Sequence, residues 1–145
     1  MTNPDAQRLS RDDLPLTAAF LIALAATLGA LFIGEVLGQM PCVLCWYQRI
    51  AMFPLVLILG LSIWRADGMA RVYGLPLAVA GLAVATWHSG LYAGLIPQTI
   101  APCTKDGPSC TGDGMLILGM PIPFLSLAAF AGIVACLSLT KGNRS

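Results

Sequence analysis

Charged side chains are scarce in this sequence. Asp, Glu, Lys and Arg together make up 10% of its 145 residues, whereas 57% of the residues are hydrophobic. A soluble domain of this length has too little interior to bury so many apolar side chains. The excess therefore indicates a protein whose solvent is in large part the lipid of a bilayer.

Several other features are missing, and each absence removes a class of function. The formal net charge is only +1, so neither a nucleic-acid surface nor a strongly acidic partner is indicated. The chain contains no Gly-x-Gly-x-x-Gly unit and no soluble segment that could hold a flavin or a nucleotide. It has a single histidine, His88, and no internal repeat or low-complexity tract. We expect one domain over residues 1–145.

The chain does contain four apolar stretches, each close to the roughly 20 residues that a helix needs to cross a bilayer. They cover approximately residues 15–37, 46–64, 72–95 and 116–139. The first is too long, and its flank too mixed in charge, to be a cleaved signal peptide. These stretches predict an all-α integral membrane protein, a bundle of four transmembrane helices with short connections.

The basic residues predict the orientation of this bundle. Most of them lie on one side of a four-span topology: Arg8, Arg11, Arg65, Arg71, Lys141 and Arg144. The other side holds only Arg49 and Lys105. Because basic residues concentrate in cytoplasmic segments, we expect both termini in the cytoplasm. The first and third loops, which carry two cysteines each, then face the oxidising side of the membrane.

The first loop ends in a Cys-x-x-Cys pair, Cys42 and Cys45. This spacing serves zinc sites, structural disulfides and redox sites alike. Pro41 is suited to the first position of a helix, which would place both thiols in the opening turn of the second helix, at the positive end of its dipole. Arg49 follows one turn after Cys45 on the same helix face. Both effects favour thiolates, the nucleophiles of disulfide exchange, so we interpret the pair as redox-active rather than as a staple or a metal site.

Cys103 and Cys110, in the third loop, are surrounded by turn-forming residues. A disulfide that closes so short a loop stabilises little tertiary structure, but its exposure makes it reachable by a thiol of another protein. If this loop approaches Cys42, electrons have a path from a soluble partner to the membrane. The alternative is a disulfide that only closes this loop and takes no part in electron transfer. Cys136, inside the fourth apolar stretch, is expected to be a small buried side chain without a role.

A dithiol that turns over needs an electron acceptor, and a lipid-soluble quinone suits a chain without a nucleotide site. Arg49 is costly at the edge of a membrane unless it is paired or used, so we expect it to hydrogen-bond a quinone carbonyl beside Cys45. His88, near the outer end of the third helix, is a candidate for a second quinone contact, the alternative being a histidine bonded within the bundle. Glu35 is expected to lie at a solvated helix end and not to relay protons.

The motif Pro-Cys-Val-Leu-Cys at 41–45, followed by Gln-Arg at 48–49 and by Cys103 and Cys110 in a later loop, resembles the DsbB family of disulfide bond formation proteins. The resemblance covers essentially the whole chain. It implies a quinone reductase of the bacterial inner membrane that uses ubiquinone or menaquinone. Its expected partner is a periplasmic DsbA-like thiol oxidase, which it would reoxidise in support of disulfide bond formation.

The resemblance also implies a role for each cysteine of the two pairs. The partner's thiol would attack Cys103, and the released Cys110 would engage Cys42. Cys45 would then be the thiolate that contacts the quinone, next to the two cofactor-binding candidates named above. The spacing from Cys103 to Cys110 is shorter than in the best-known members of the family, which leaves the reach of Cys110 open.

Two other interpretations remain from the sequence. A non-enzymatic membrane scaffold would use the cysteines only to staple its loops. An enzyme like vitamin K epoxide reductase would share the bundle and the two pairs, but there the active Cys-x-x-Cys is expected late in the chain, whereas here it opens the second helix.

Overall fold

Four long helices form the protein, whose structure was obtained as a computed structural model. It describes residues 4–65, 67–97 and 116–140, with side chains from residue 13 onward. The helices are α1 (Pro4–Leu31), α2 (Val43–Arg65), α3 (Leu75–Tyr92) and α4 (Ile122–Leu139). The predicted class, a membrane bundle of four helices, is confirmed, because each helix supplies most of a span that is long and apolar enough to cross a membrane.

Short elements of other kinds join these helices. A π turn continues α1 over Phe32–Val36, and a second one leads into α3 over Ala70–Gly74. An antiparallel hairpin of two short strands, β1 (Leu116–Ile117) and β2 (Met120–Pro121), leads into α4. None of these elements follows from the hydrophobic pattern, because the π turns have five residues each and the strands two, too few for a helical or strand periodicity to be recognised.

The fourth helix begins later than the sequence predicts. Residues 116–121 belong to the hairpin, so α4 starts at Ile122 and not near residue 116. Between the strands, Leu118 and Gly119 both have positive φ, 54° and 81°, which is the backbone conformation of a tight hairpin turn and not of a helix. The third helix ends early for a similar reason, because Gly94 has φ of 75° just beyond Tyr92.

The helices pack in a closed ring, α1 and α3 each lying against both α2 and α4. The core that they enclose is apolar and consists mainly of leucine, alanine and the ring of Phe130. Small residues on α3 allow this ring to enter, since a Cβ atom added to Gly81 would lie 2.1 Å from Phe130 Cε1. Close approach at small residues is the usual way in which membrane helices gain packing contacts.

The surface of the bundle is apolar, and several polar side chains are buried, which is the reverse of the arrangement in a soluble protein. Large apolar side chains face outward along the spans, such as Leu57 at 68% and Trp64 at 84% exposure. By contrast, the buried polar side chains of the described residues are Gln48, Ser62, His88 and Ser89. Because lipid solvates apolar groups and not polar ones, this arrangement is the one expected of a membrane bundle.

The two ends of the bundle are built differently. At the end near Arg65, Ser62 Oγ donates to the carbonyl of Asp67 at 2.8 Å and accepts the backbone N–H of Ala70, which closes the α2–α3 connection. Arg71 there donates to the carbonyl of Thr140. The opposite end contains the cysteine pair and is called the cysteine end below.

Candidate active site

Cys42 caps the N-terminus of α2. Its carbonyl accepts the backbone N–H of Trp46 at 3.0 Å, the first bond of the helix, and its Sγ lies 3.4 Å from the backbone nitrogen of Cys45, which donates to it. The sulfur thus satisfies a free backbone donor as a serine or aspartate oxygen does in other helices. Pro41 therefore precedes the helix instead of opening it as expected, because Cys42 occupies the capping position.

The two sulfurs of the pair are in contact, with Cys42 Sγ and Cys45 Sγ 2.9 Å apart in the dithiol state. The pKa of Cys42 is lowered from 9.0 to about 4, first by a hydrogen bond from the Cys45 thiol. His88 and the backbone N–H of Cys45 lower it further, and together these donors outweigh burial, which alone would raise the pKa. In the reduced pair the negative charge is therefore held on Cys42.

His88 lies at the inner side of this pair and is almost fully buried, with 2% of its surface exposed. Its Nε2 is 3.8 Å from Cys42 Sγ, and its Nδ1 is 3.2 Å from the amide nitrogen of Gln48. An amide nitrogen can only donate, so in this orientation Nδ1 accepts and the ring proton is on Nε2. That proton points toward the Cys42 sulfur, where it stabilises a thiolate.

Arg49 is anchored on the opposite side of the pair, one helical turn beyond Cys45. Its Nη2 donates to the carbonyl of Ala30 at 2.8 Å, just before the first π turn, and its guanidinium lies over the Trp46 ring at 5.7 Å. Both terminal nitrogens would be 3.2 Å from a Cβ atom at Gly34, so the absence of a side chain there leaves room for the guanidinium. Within the described part of the chain, Arg49 forms no ion pair with a carboxylate.

A cavity of about 750 Å³ lies beside these groups. Its polar wall consists of Cys42, Cys45, Gln48, Arg49 and His88. Its apolar walls come mainly from α1 and α4 and include Ala26, Ile33, Leu125 and Ala129. Ligand sites for small molecules are commonly cavities of about 300–1,000 Å³ with apolar walls and a few convergent polar groups, and this one has that character.

A seryl hydroxyl fixes the start of α4 beside the cavity. Ser89 Oγ on α3 donates to the carbonyl of Pro123 at 3.1 Å, and Ser126 Oγ donates to the same carbonyl at 2.9 Å. The ring of Tyr92 also packs edge-on against Phe124, with centroids 5.9 Å apart. These contacts hold α4 against α3 at the cysteine end, so the cavity wall made by α4 has a defined position.

The predicted site residues fall into three groups. Cys42, Cys45, Arg49 and His88 meet at one cavity, although they come from two helices and are up to 46 positions apart. The second predicted pair, Cys103 and Cys110, lies outside the described residues. Of the two residues expected to have no role, Glu35 is exposed, and Cys136 is partly buried against the main core and not fully buried as expected.

Two contributors to the site were not singled out from the sequence. Gln48 reads there as part of a motif, and only its burial beside His88 shows that it is the ring's hydrogen-bond partner. Gly34 carries no side-chain signal at all, and its importance lies in the space that it leaves for Arg49. The only hint for Gln48 in the sequence was its polar side chain in the largely apolar helix α2.

The comparisons with known proteins agree with this architecture. The family model described as "Disulfide bond formation protein DsbB" matches residues 12–140. The chain belongs to the DsbB family. As a DsbB-family member it is a multi-pass membrane protein of disulfide bond formation, with the role of a disulfide oxidoreductase. No solved structure matches the chain.

Individual relatives of this DsbB-family chain are similar over nearly their whole length. A probable disulfide formation protein of Metapseudomonas resinovorans is 51% identical over 140 residues, covering 96% of each chain. Disulfide bond formation protein C of Bacillus subtilis is 40% identical over 133 residues, 90% of this chain and 94% of the relative. A probable disulfide formation protein of Deinococcus radiodurans is 41% identical over 135 residues, 87% of this chain and 88% of the relative.

Proposed function

We propose that this protein is a dithiol:quinone oxidoreductase that reoxidises a DsbA-like thiol oxidase and passes the electrons to a membrane quinone. The observation that carries the proposal is the convergence of Cys42, Cys45, His88 and Arg49 on one largely apolar cavity at the end of a membrane bundle. A redox pair beside a largely apolar cavity suits a lipid-soluble acceptor better than a water-soluble one.

The residues around the cavity fit a quinone. Its apolar walls suit a hydrophobic ring and the beginning of an isoprenoid tail, and its volume of about 750 Å³ is in the range of small-molecule sites. Arg49 would hold a ring oxygen of the quinone through the N–H groups that are not bonded to Ala30, whereas His88, whose one ring N–H is directed at Cys42 Sγ, would border the quinone and act on the cysteine pair. When bound, ubiquinone or menaquinone supplies the two-electron acceptor that the dithiol requires.

The chain's own residues divide the work at the cysteine pair. Closing the disulfide between the Cys42 thiolate and the Cys45 thiol releases two electrons, which leave toward the acceptor, and one proton, which comes from Cys45. His88 keeps Cys42 ionised through its Nε2–H, and Gln48 holds the ring in the tautomer that does so. Arg49, fixed by the Ala30 carbonyl, contributes a positive charge that favours developing negative charge in the cavity.

The second pair and the partner complete the relay. We propose that the partner's thiol attacks Cys103 and that Cys110 then engages Cys42, so that Cys45 is the sulfur released next to the cavity. A DsbA-type partner, at about −120 mV, is already a strong oxidant, so a more oxidising acceptor such as a respiratory quinone is needed to regenerate it. The family names support disulfide formation, and the partner and acceptor are part of this proposal.

The cellular arrangement follows from the same proposal. The protein would act as one domain in the bacterial inner membrane, with both termini in the cytoplasm and the cysteine end at the periplasmic face. The basic residues on the other side support this orientation. The oxidising periplasm is also where a disulfide relay has substrates.

Turnover with purified components tests the proposal. The full chain in detergent is mixed with reduced DsbA-like protein and a short-chain ubiquinone or menaquinone, and oxidation of the partner is followed. We expect quinone-dependent turnover by the wild type, loss of turnover in Cys45→Ala and in Cys103→Ala, and unchanged turnover in the control Cys136→Ala. If quinone makes no difference, a stapled scaffold or an enzyme with another acceptor replaces this proposal.

A further inference from the structure

Three atoms with metal-binding capacity meet at the polar wall of the cavity. They are Cys42 Sγ, Cys45 Sγ and His88 Nε2, and all three lie within 4.8 Å of one another. Two thiolates and one imidazole are a known ligand set for Zn²⁺, with a fourth position open to water or another ligand. The fourth position here faces the cavity, because all three residues line it.

The distances are close to those of a tetrahedral site. With metal–sulfur bonds of about 2.3 Å and metal–nitrogen bonds of about 2.0–2.1 Å, neighbouring ligand atoms are about 3.5–3.8 Å apart. Cys42 Sγ and His88 Nε2 are already 3.8 Å apart. The two sulfurs, at 2.9 Å, must separate by slightly less than 1 Å, and Cys45 can provide this movement because its side chain borders open space in the cavity.

The surroundings also provide what a metal-bound histidine requires. A ring that binds through Nε2 carries its proton on Nδ1 and needs an acceptor there. The side-chain amide of Gln48 lies 3.2 Å from Nδ1, and turning it about its own axis would present its oxygen in place of its nitrogen. Two thiolates neutralise a divalent cation, so the occupied site carries no net charge at the membrane edge.

We propose that the reduced cysteine pair and His88 form a binding site for a thiophilic divalent cation such as Zn²⁺ or Cd²⁺. Binding displaces the remaining thiol proton of the pair and the proton on Nε2 moves to Nδ1, with no change in oxidation state. The disulfide form has no thiolate to offer, so the site exists only in the reduced protein. A cation held by both sulfurs prevents them from forming a disulfide, and it therefore inhibits the enzyme in its reduced state.

Binding itself does not depend on the proposed function, whereas inhibition rests on it. The two can therefore be measured separately. Cation binding is followed without quinone or partner protein, and inhibition is followed in the turnover assay with and without a chelator. Absence of turnover in that assay would remove the proposed function and leave the binding result intact.

Cobalt titration tests the site directly. The full chain with Cys103→Ala and Cys110→Ala, so that the other pair cannot bind metal, is reduced, desalted and titrated with Co²⁺ in detergent. We expect one equivalent to produce sulfur-to-cobalt charge-transfer absorption and the visible bands of tetrahedral cobalt, and Zn²⁺ or Cd²⁺ to bleach both. The oxidised form of the same protein should show neither.

Variants decide whether these three residues are the ligands. His88→Ala and the bulkier His88→Gln should each weaken cobalt binding by about tenfold or more, with helical content checked by circular dichroism. Cys136→Ala, the control, should bind as the parent does. Equal binding by the oxidised and reduced forms, loss of binding in Cys136→Ala, or unchanged affinity in both folded His88 variants would each overturn the proposed site.

Discussion

The amide nitrogen of Gln48 lies 3.2 Å from Nδ1 of His88, and this contact determines which ring nitrogen carries the proton. Because the amide donates, Nδ1 must accept, and the proton on Nε2 is directed at Cys42 Sγ, 3.8 Å away. A neutral histidine thus acts as a hydrogen-bond donor to a thiolate. Gln48 has no contact with the sulfur in this chain of interactions, and it acts by positioning the ring.

The reactivity of Cys42 should be nearly independent of pH across the neutral range. Its pKa of about 4 means that the thiolate, which is the reactive form, is fully populated above that value and is lost as the pH falls through it. Alkylation of the reduced protein by iodoacetamide in a chelating buffer, mapped by tandem mass spectrometry, should therefore halve in rate near pH 4. In guanidinium-unfolded chain the same cysteine should lose reactivity below its ordinary pKa of 9.0. A folded protein that behaves like the unfolded one would contradict the assignment of the charge to Cys42.

Replacing Gln48 by leucine should raise the pH at which Cys42 loses its reactivity. Leucine has a similar size but offers no donor to Nδ1, so the ring is free to present a lone pair to the sulfur instead of a proton. Loss of one hydrogen bond to a charged group corresponds to an upward shift of about one pH unit. The same alkylation profile measures it. Gln39→Leu is the matched control, because Gln39 also borders the cavity but is exposed, and an equal shift in both variants would exclude the positioning role.

Gly34→Ala should raise KM for quinone without abolishing turnover. The new Cβ would lie 3.2 Å from both terminal nitrogens of Arg49, so the guanidinium must shift away from its bond to the Ala30 carbonyl. Because the guanidinium is proposed to hold the quinone, we expect KM for quinone to rise by about threefold to tenfold with a smaller change in kcat. Gly132→Ala, which lies outside the cavity lining and whose Cβ meets its nearest atom, on Ile22, at an ordinary 3.4 Å, should leave both constants unchanged. Equal kinetics in the two variants would show that the position of Arg49 does not matter to quinone.

Gly81→Ala should destabilise the bundle. The added methyl group would overlap the Phe130 ring, which is fully buried and cannot move aside without displacing α4. Overpacking of this kind costs about 1–3 kcal/mol. Thermal unfolding followed by circular dichroism in one detergent measures the difference from Gly132→Ala, where the nearest atom, on Ile22, is at an ordinary 3.4 Å. Both changes gain the same helix propensity, so a lower unfolding temperature for Gly81→Ala alone isolates the clash.

The hydrophobic pattern was sufficient to predict the four spans but not what joins them. A span of about 20 apolar residues is a strong signal because few other structures tolerate it. The hairpin before α4 depends on positive φ at Leu118, a residue type that rarely adopts it, and no local sequence rule anticipates that conformation. The π turns likewise reflect a shift in backbone pairing that the side-chain pattern does not encode.

The site was predictable where its residues are neighbours in sequence. Cys42, Cys45 and Arg49 occupy one short stretch, and helix geometry alone relates them. His88 was recognised as a candidate, but its distance to the pair depends on how α3 packs against α2. Gln48 was found only through that packing, since a glutamine in an apolar helix has no distinctive chemistry until its partner is known.

The sequence by itself determined that the protein lies in lipid, how many times it spans the bilayer and that its chemistry is that of thiols. Composition, span length and cysteine spacing are properties that can be read without knowing how the helices pack. Tertiary structure alone decided which ring nitrogen of His88 carries its proton and that this proton faces Cys42. Both depend on contacts between residues about 40 positions apart, and such contacts exist only after the helices have packed.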